Sequence, residues 1–296
     1  MYAGIEAGGT KFNCIIAGDP DNIVAETRIP TTTPDETLAQ VIKFFEDKSQ
    51  AEKVSLKSLG IGSFGPLDLN KHSPNYGCIT STPKSAWRNV NIVKELGEKL
   101  HLPVELDTDV NTAALGELLW GAGQGKQSIL YLTIGTGIGG GAVVAGKPLH
   151  GLLHPEMGHI YLAQNSIADD FNGICPYHSH CFEGLASGPA LKAHWGKDAF
   201  LLEAEHPAWD QEAFYIAQAL STYIAVLSPE IIILGGGVMQ QSQLFPMIRS
   251  KVLELLNGYL QSKSILEDID HYIVPPGLGS RSGVLGAIAL ARSTNY

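Results

Sequence analysis

Two glycine hairpins limit what this chain can become more than any other feature. The first is Gly4-Ile5-Glu6-Ala7-Gly8-Gly9-Thr10-Lys11-Phe12, and the second is Leu132-Thr133-Ile134-Gly135-Thr136-Gly137-Ile138-Gly139-Gly140-Gly141. In each, apolar and β-prone residues flank a glycine turn, which reads as two strands joined by a tight connection. Each also opens a half of the chain in which strand-like and helix-like runs alternate. That weak internal repeat predicts α/β layers in both halves. The 296 residues suffice for two domains, and with 44% of them hydrophobic there is apolar material for substantial cores. No linker or low-complexity segment separates the halves, so two domains packed around a cleft are expected.

The order of elements follows from local signals. Tyr2–Glu6 and Lys11–Ala17 are strands. Thr33-Pro34-Asp35-Glu36 combines a capping-box pattern with proline at the first helical position, and starts a helix that runs to about Lys48. Leu59–Phe64 reads as a buried strand ending at Gly65-Pro66, Val90–Leu100 as a short amphipathic helix, Val104–Asp107 as a strand and Asn111–Leu119 as a helix. In the second half, Ile129–Thr133 is a strand, Ile134–Gly141 is glycine-rich and Ala142–Ala145 is β-prone. A long helix, Gln211–Leu227, stops at Ser228-Pro229. The strand Glu230–Leu234 then leads into Gly235-Gly236-Gly237, with a helix from about Ser242, a strand near Tyr272–Val274 and a helix Gly283–Ala291.

Charge and cysteine usage exclude several classes. The net charge is −10 without a basic block, which argues against nucleic acid or an anionic membrane as partner. There is no charged-then-apolar leader and no apolar run of transmembrane length. Four cysteines are too few for a disulfide framework, and two of them lie among histidines. A reducing, cytoplasmic setting is expected.

Metal chemistry is written into His154-Pro155-Glu156-Met157-Gly158-His159 and Cys175-Pro176-Tyr177-His178-Ser179-His180-Cys181. His159, Cys175, His178 and Cys181 make a two-sulfur, two-imidazole set suited to tetrahedral, structural zinc, with His180 as the alternative to His178. Glu156 places a carboxylate beside the first ligand, so the site can shape a pocket as well as staple a loop.

The glycine runs contain two decoys. Gly135-x-Gly137-x-x-Gly140 matches a dinucleotide fingerprint, but a β-prone segment follows it where a helix is required. The stretch from Gly141 to Lys147 matches a P-loop, but Pro148 stands where Ser or Thr should bind magnesium. What remains is backbone N–H groups able to approach a phosphate, with the hydroxyls of Thr133 and Thr136 beside them. A plain tight turn is the competing reading for one hairpin. Two hairpins and Gly235-Gly236-Gly237 at a strand-to-helix junction together favour a nucleotide. Asp109 sits where a strand passes into a helix, a place for a cleft carboxylate and equally for an N-cap that Asn111 could share.

Taken together, these segments resemble the ROK family of sugar kinases and repressors. Gly4 to Lys11 is similar to its first phosphate motif, Thr133 to Gly137 to its second, and Ile233 to Val238 to its adenosine motif. Asp107-Thr108-Asp109-Val110-Asn111 resembles its N-D-x-N catalytic segment, with Thr108 in place of Asn. Glu156-x-Gly158-His159 resembles its sugar-and-zinc signature. Glu6 replaces the usual first-motif Asp, and His178 replaces a third cysteine. HPEMGHIY and CPYHSHCFEGLASGPA are most similar to the bacterial fructokinase branch.

The resemblance implies an actin-like ATPase fold, hexokinase-like, with an RNase-H-like sheet in each of two domains. Residues 1–112 would form the smaller one, with the helix 283–296 packing back on it, and residues 113–282 the larger one with the zinc segment. It implies ATP-dependent phosphorylation of fructose with Asp109 as general base, and Asp107 as its nearest competitor. Glu156, His159 and Glu183 would contact sugar, Glu183 being equally an ordinary first-turn helix acid. Gly8, Gly9, Thr10, Lys11, Thr133, Gly135, Thr136, Gly137, Gly188, Pro189, Gly236, Gly237, Val238, Met239 and Gln240 would meet the nucleotide. Structural zinc, Mg²⁺ with ATP, and a homodimer complete the expectation. Another hexose such as mannose or glucose, or a non-catalytic sugar-binding member, are the alternatives. A repressor would need a DNA-binding helix-turn-helix ahead of the first strand, where this sequence has one residue.

Overall fold

The structure, a computed structural model, describes residues 1–82, 84–163 and 171–293. Residues 294–296, the end of the expected returning helix, lie outside the described residues. The chain forms two compact units. One comprises Met1–Gly125, Pro148–Pro155 and the described residues from Gly277 onward; the other comprises Lys126–Lys147 and Glu156–Pro276.

The first unit is built on β1 (Tyr2–Ala7), β2 (Lys11–Ala17), β3 (Ile23–Pro30), α1 (Pro34–Ala51), β4 (Leu59–Ser63), α2 (Ile92–Leu100), β5 (Val104–Thr108) and α3 (Asp109–Trp120). Its sheet runs β3-β2-β1-β4-β5. The hairpin pairs β1–β2 and β2–β3 are antiparallel, and the helix-linked pairs β1–β4 and β4–β5 are parallel. Thr33 caps α1 by accepting the Glu36 N–H, with Pro34 following, as the sequence predicts.

The two faces of this sheet are covered by different material. Ile5, Phe12, Ile16, Phe45, Ile61, Trp87 and Leu96 form one core. On the other face, Ile15 and Ala17 pack with Val284, Leu285 and Ile288 of the C-terminal helix, Ser282–Ser293. That helix lies backbone to backbone on its neighbours. A Cβ on Gly60 would stand 2.0 Å from the Ala287 carbonyl oxygen, and one on Gly286 would stand 1.8 Å from that of Thr112.

The second unit contains β6 (Ile129–Ile134), β7 (Ile138–Val144), β8 (Lys147–Pro148), α4 (Phe182–Ala186), α5 (Gly188–Trp195), α6 (Ala208–Leu227), β9 (Ile231–Gly235), α7 (Leu244–Leu256) and β10 (Ile273–Val274). The sheet order is β10-β9-β6-β7-β8, with β6–β7 antiparallel and β6–β9 parallel. Two five-stranded mixed sheets with helical crossovers thus give the two-unit α/β architecture expected of the sequence.

Three local expectations need correction. β3 was not foreseen. β7 starts at Ile138, inside the run read as turn, because Gly139, Gly140 and Gly141 pair with Thr133, Leu132 and Tyr131 as strand residues. Gly140 is glycine for packing: a Cβ there would meet the Met157 sulfur at 2.6 Å. α3 begins at Asp109 rather than Asn111, because Thr108 is the residue that caps it. Among the described residues, no helix is long and apolar enough to cross a membrane.

Candidate active site and metal centre

In the first unit the β1–β2 turn is closed by the Gly8 N–H donating to the Lys11 carbonyl at 2.9 Å. The Thr31 hydroxyl donates to the Gly8 carbonyl at 2.8 Å, so the end of β3 steadies the turn. Gly9 lies close against the Lys84 side chain, while Thr10 is exposed. Glu6, one strand residue earlier, accepts the Asn13 amide at 2.7 Å. Burial pushes its carboxyl above the ordinary range, and the Asn13 bond offsets only part of that.

The remaining nucleotide candidates converge at one end of the second sheet. Gly135 N–H donates to the Gly137 carbonyl at 2.9 Å, and Gly188 N–H donates to the Gly135 carbonyl at 2.7 Å. Thr133 is half-buried at the same end of β6. Ser187 caps α5 by accepting the Ala190 N–H, which places Gly188 and Pro189 in its first turn. Gly236 has φ +94° and abuts the Ile134 backbone, a conformation and a space that both require glycine. Val238 and Met239 are buried, so their side chains belong to the core and what that turn can offer a ligand is backbone and Gln240.

Asp109 is the first residue of α3, and its Oδ1 accepts the Val110 N–H at 2.9 Å. The Thr108 hydroxyl accepts the Asn111 N–H at 3.1 Å, so the cap role weighed for Asp109 falls to its neighbour. Asp107 is buried, and it accepts the Asn111 amide at 2.8 Å and approaches His150 Nε2 at 3.0 Å. The bond to Asp107 raises the His150 pKa above its ordinary value. Sequence reasoning missed His150, since nothing local marks it and its partner is 43 residues away.

Glu156, Met157, Gly158 and His159 form a tight turn pinned to β7. Met157 is buried, and its carbonyl accepts the Tyr223 hydroxyl. A Cβ on Gly158 would stand 1.9 Å from the Ile138 carbonyl oxygen, so only glycine lets the turn seat this closely. Glu156 is exposed, and its carbonyl accepts the His159 N–H at 3.0 Å.

One ligand atom from each of His159, Cys175, His178 and Cys181 lies within 4.8 Å of every other. His159 Nδ1 is 3.4 Å from Cys181 Sγ and 4.0 Å from Cys175 Sγ, and His178 Nδ1 is 3.7 Å from Cys175 Sγ. A zinc tetrahedron with bonds of about 2.3 Å to sulfur and about 2.0–2.1 Å to nitrogen has N···S edges of about 3.6 Å, so the donor set fits. Burial pushes the Cys181 thiol up to about 11. A bound cation would reverse that by stabilising the thiolate. His180 stands apart, its Nδ1 3.3 Å from the Asn172 carbonyl oxygen. Glu183, expected at the sugar, has one carboxylate oxygen on the Ile138 N–H at 2.8 Å, beside Gly137.

Comparison with known proteins shows the family. Residues 2–294 match the ROK family. A protein of Bacillus subtilis (strain 168) is 50% identical over 98% of this chain and 95% of its own length. The fructokinase of Zymomonas mobilis subsp. mobilis is 44% identical, covering 98% of this chain and 96% of that protein. Among solved structures, the ROK hexokinase from Thermus thermophilus superposes with a TM-score of 0.81 at 27% identity, over 99% of this chain and 98% of that one.

Proposed function

As the chain belongs to the ROK family, we propose that it is an ATP-dependent fructokinase, converting fructose and MgATP to fructose 6-phosphate and ADP. The observation that carries this reading is identity of 44% to a fructokinase over nearly the full length of both chains. The glycine turns and the carboxylate at the head of α3 support it.

Phosphoryl transfer to an alcohol asks a protein mainly for positioning, charge stabilisation and a proton acceptor. In this reading Asp109 orients the sugar hydroxyl and takes its proton as the hydroxyl attacks the γ-phosphorus. The two glycine turns, at Gly8–Thr10 and Gly135–Gly137, are the segments that would meet phosphate. Glu156 and His159 fix the sugar through its hydroxyls. His159, Cys175, His178 and Cys181 would hold a structural zinc, which would fix the orientation of the His159 ring beside the sugar.

A coupled ADP-release assay over fructose, mannose and glucose tests the reading. Fructose should give the highest kcat/KM. Preference for an aldohexose would reassign the substrate, and no turnover on any hexose would point to a sugar-binding role.

A further inference from the structure

The carboxylate of Asp107 is 3% exposed and gathers three partners. The Thr108 N–H reaches it at 2.7 Å, the Asn111 amide at 2.8 Å, and His150 Nε2 lies 3.1 Å from one oxygen and 3.0 Å from the other. A carboxylate only accepts, so His150 Nε2 carries a hydrogen here. Thr108 and Asn111 are neutral donors, which makes His150 the one member of the set able to bear a compensating charge. Buried carboxylates need such a partner.

This ring of contacts encloses Asp109 in the chain. Thr108 precedes it, and Asn111 follows within the same helical turn. The Thr108 hydroxyl closes the ring by capping the Asn111 N–H. His150 comes from Pro148–Pro155, a segment belonging to the same unit. His154 secures the segment again, its Nε2 accepting the Leu67 N–H at 3.1 Å.

The geometry points to His150 as a positioning residue for phosphoryl transfer: through Asp107 and Asn111 it fixes the backbone that carries Asp109. The inference rests on Asp109 being the base. His150 itself touches neither sugar nor phosphate in this scheme. Its loss leaves the Asp107 carboxylate short of a donor, and the start of α3 relaxes around it. A displacement of about 1 Å at a reacting group costs on the order of 10²-fold in rate.

The test is steady-state kinetics on single and double variants, with thermal melting and ADP titration to verify folding. His150→Ala should lower kcat about 10–100-fold and change the sugar KM less than about threefold. His150→Phe keeps a ring without the N–H and should match it, so either variant serves if the other fails to fold. His150→Gln restores an N–H donor and should recover to within about fivefold of the parent. In an Asp107→Asn background, His150→Ala should add no further loss, because the route runs through Asp107. Parental kcat in His150→Ala, a raised KM with unchanged kcat, or full additivity with Asp107→Asn would each overturn the inference. Asp109→Asn separates the two layers. An active Asp109→Asn enzyme rejects the base itself; an inactive one beside a normal His150→Ala enzyme rejects only the role of His150.

Discussion

The carboxylate of Glu183 holds the backbone N–H of Ile138 at 2.8 Å. Glu183 stands two residues beyond Cys181, and Ile138 is the first residue after the second glycine turn. Space for the contact exists because residue 137 is glycine; a Cβ there would stand 2.7 Å from the same carboxylate oxygen. The segment that carries the Cys/His cluster and the second glycine turn are therefore joined inside one unit by this acid.

That link shapes the response to metal removal. On the proposed zinc and sugar roles, stripping the metal should free the His159 ring and the Glu156 turn and lose one or two hydrogen bonds to sugar hydroxyls at about 0.5–1.5 kcal/mol each. Sugar affinity should fall roughly tenfold. ADP affinity should fall by a smaller factor, through Glu183. In Glu183→Ala, ADP binding should be weaker from the outset and insensitive to zinc. Titrating sugar and ADP onto zinc-depleted, folded protein, with zinc restored as the control, measures both. Persistent zinc dependence of ADP binding in Glu183→Ala would break the proposed link.

Elemental analysis of protein purified without added metal should find one zinc per chain. Cys175→Ser and Cys181→Ser should each release it, because both sulfurs are buried within the donor set. His180→Ala should retain it. Folded, fully active protein free of zinc would remove the metal from the account.

Asp109→Asn keeps the shape of the side chain and removes the proposed proton acceptor. Turnover should drop by about 10²–10⁴-fold with sugar binding largely preserved. Initial-rate kinetics beside calorimetric sugar titration gives both quantities. Near-parental turnover would mean that another carboxylate does the work.

Gly60→Ala places a methyl 2.0 Å from the Ala287 carbonyl oxygen. Neither β4 nor the C-terminal helix has a flexible side chain to move aside there. The substitution should cost about 1–3 kcal/mol or more of stability, against a few tenths for an ordinary exposed Gly→Ala change. Chemical denaturation monitored by tryptophan fluorescence reads the difference. An unchanged midpoint would show that the helix shifts freely.

Much of the scaffold was legible where a single residue type has a single local use. Thr33-Pro34 announces α1, and the glycine hairpins announce the sheets. Strand β3 was not legible, because it is an edge strand: of its residues only Ile29 is buried, which leaves too little apolar pattern to mark it. Asp107-Thr108-Asp109 offered three residues that favour helix caps, and only the backbone path selects Thr108. The Cys/His cluster was readable because Cys-x-x-His-x-x-Cys sets three of its members within one short loop. His150 and the Glu183–Ile138 contact were invisible for the opposite reason. Each is a pairing across more than 40 residues, and nothing local to either side chain names its distant partner.

The C-terminal helix that covers β1, β4 and α3 has a consequence for biosynthesis. The first 125 residues leave the ribosome roughly 150 residues ahead of Ser282–Ser293. At about 5–20 residues per second, the apolar face around Ile15 and Ala17 waits on the order of 10–30 s for its cover. The nascent chain is thus held open during most of its own translation, a window in which a holdase would find a binding surface. A circular permutant that places this helix ahead of Tyr2 should close that window and depend less on chaperones for its yield.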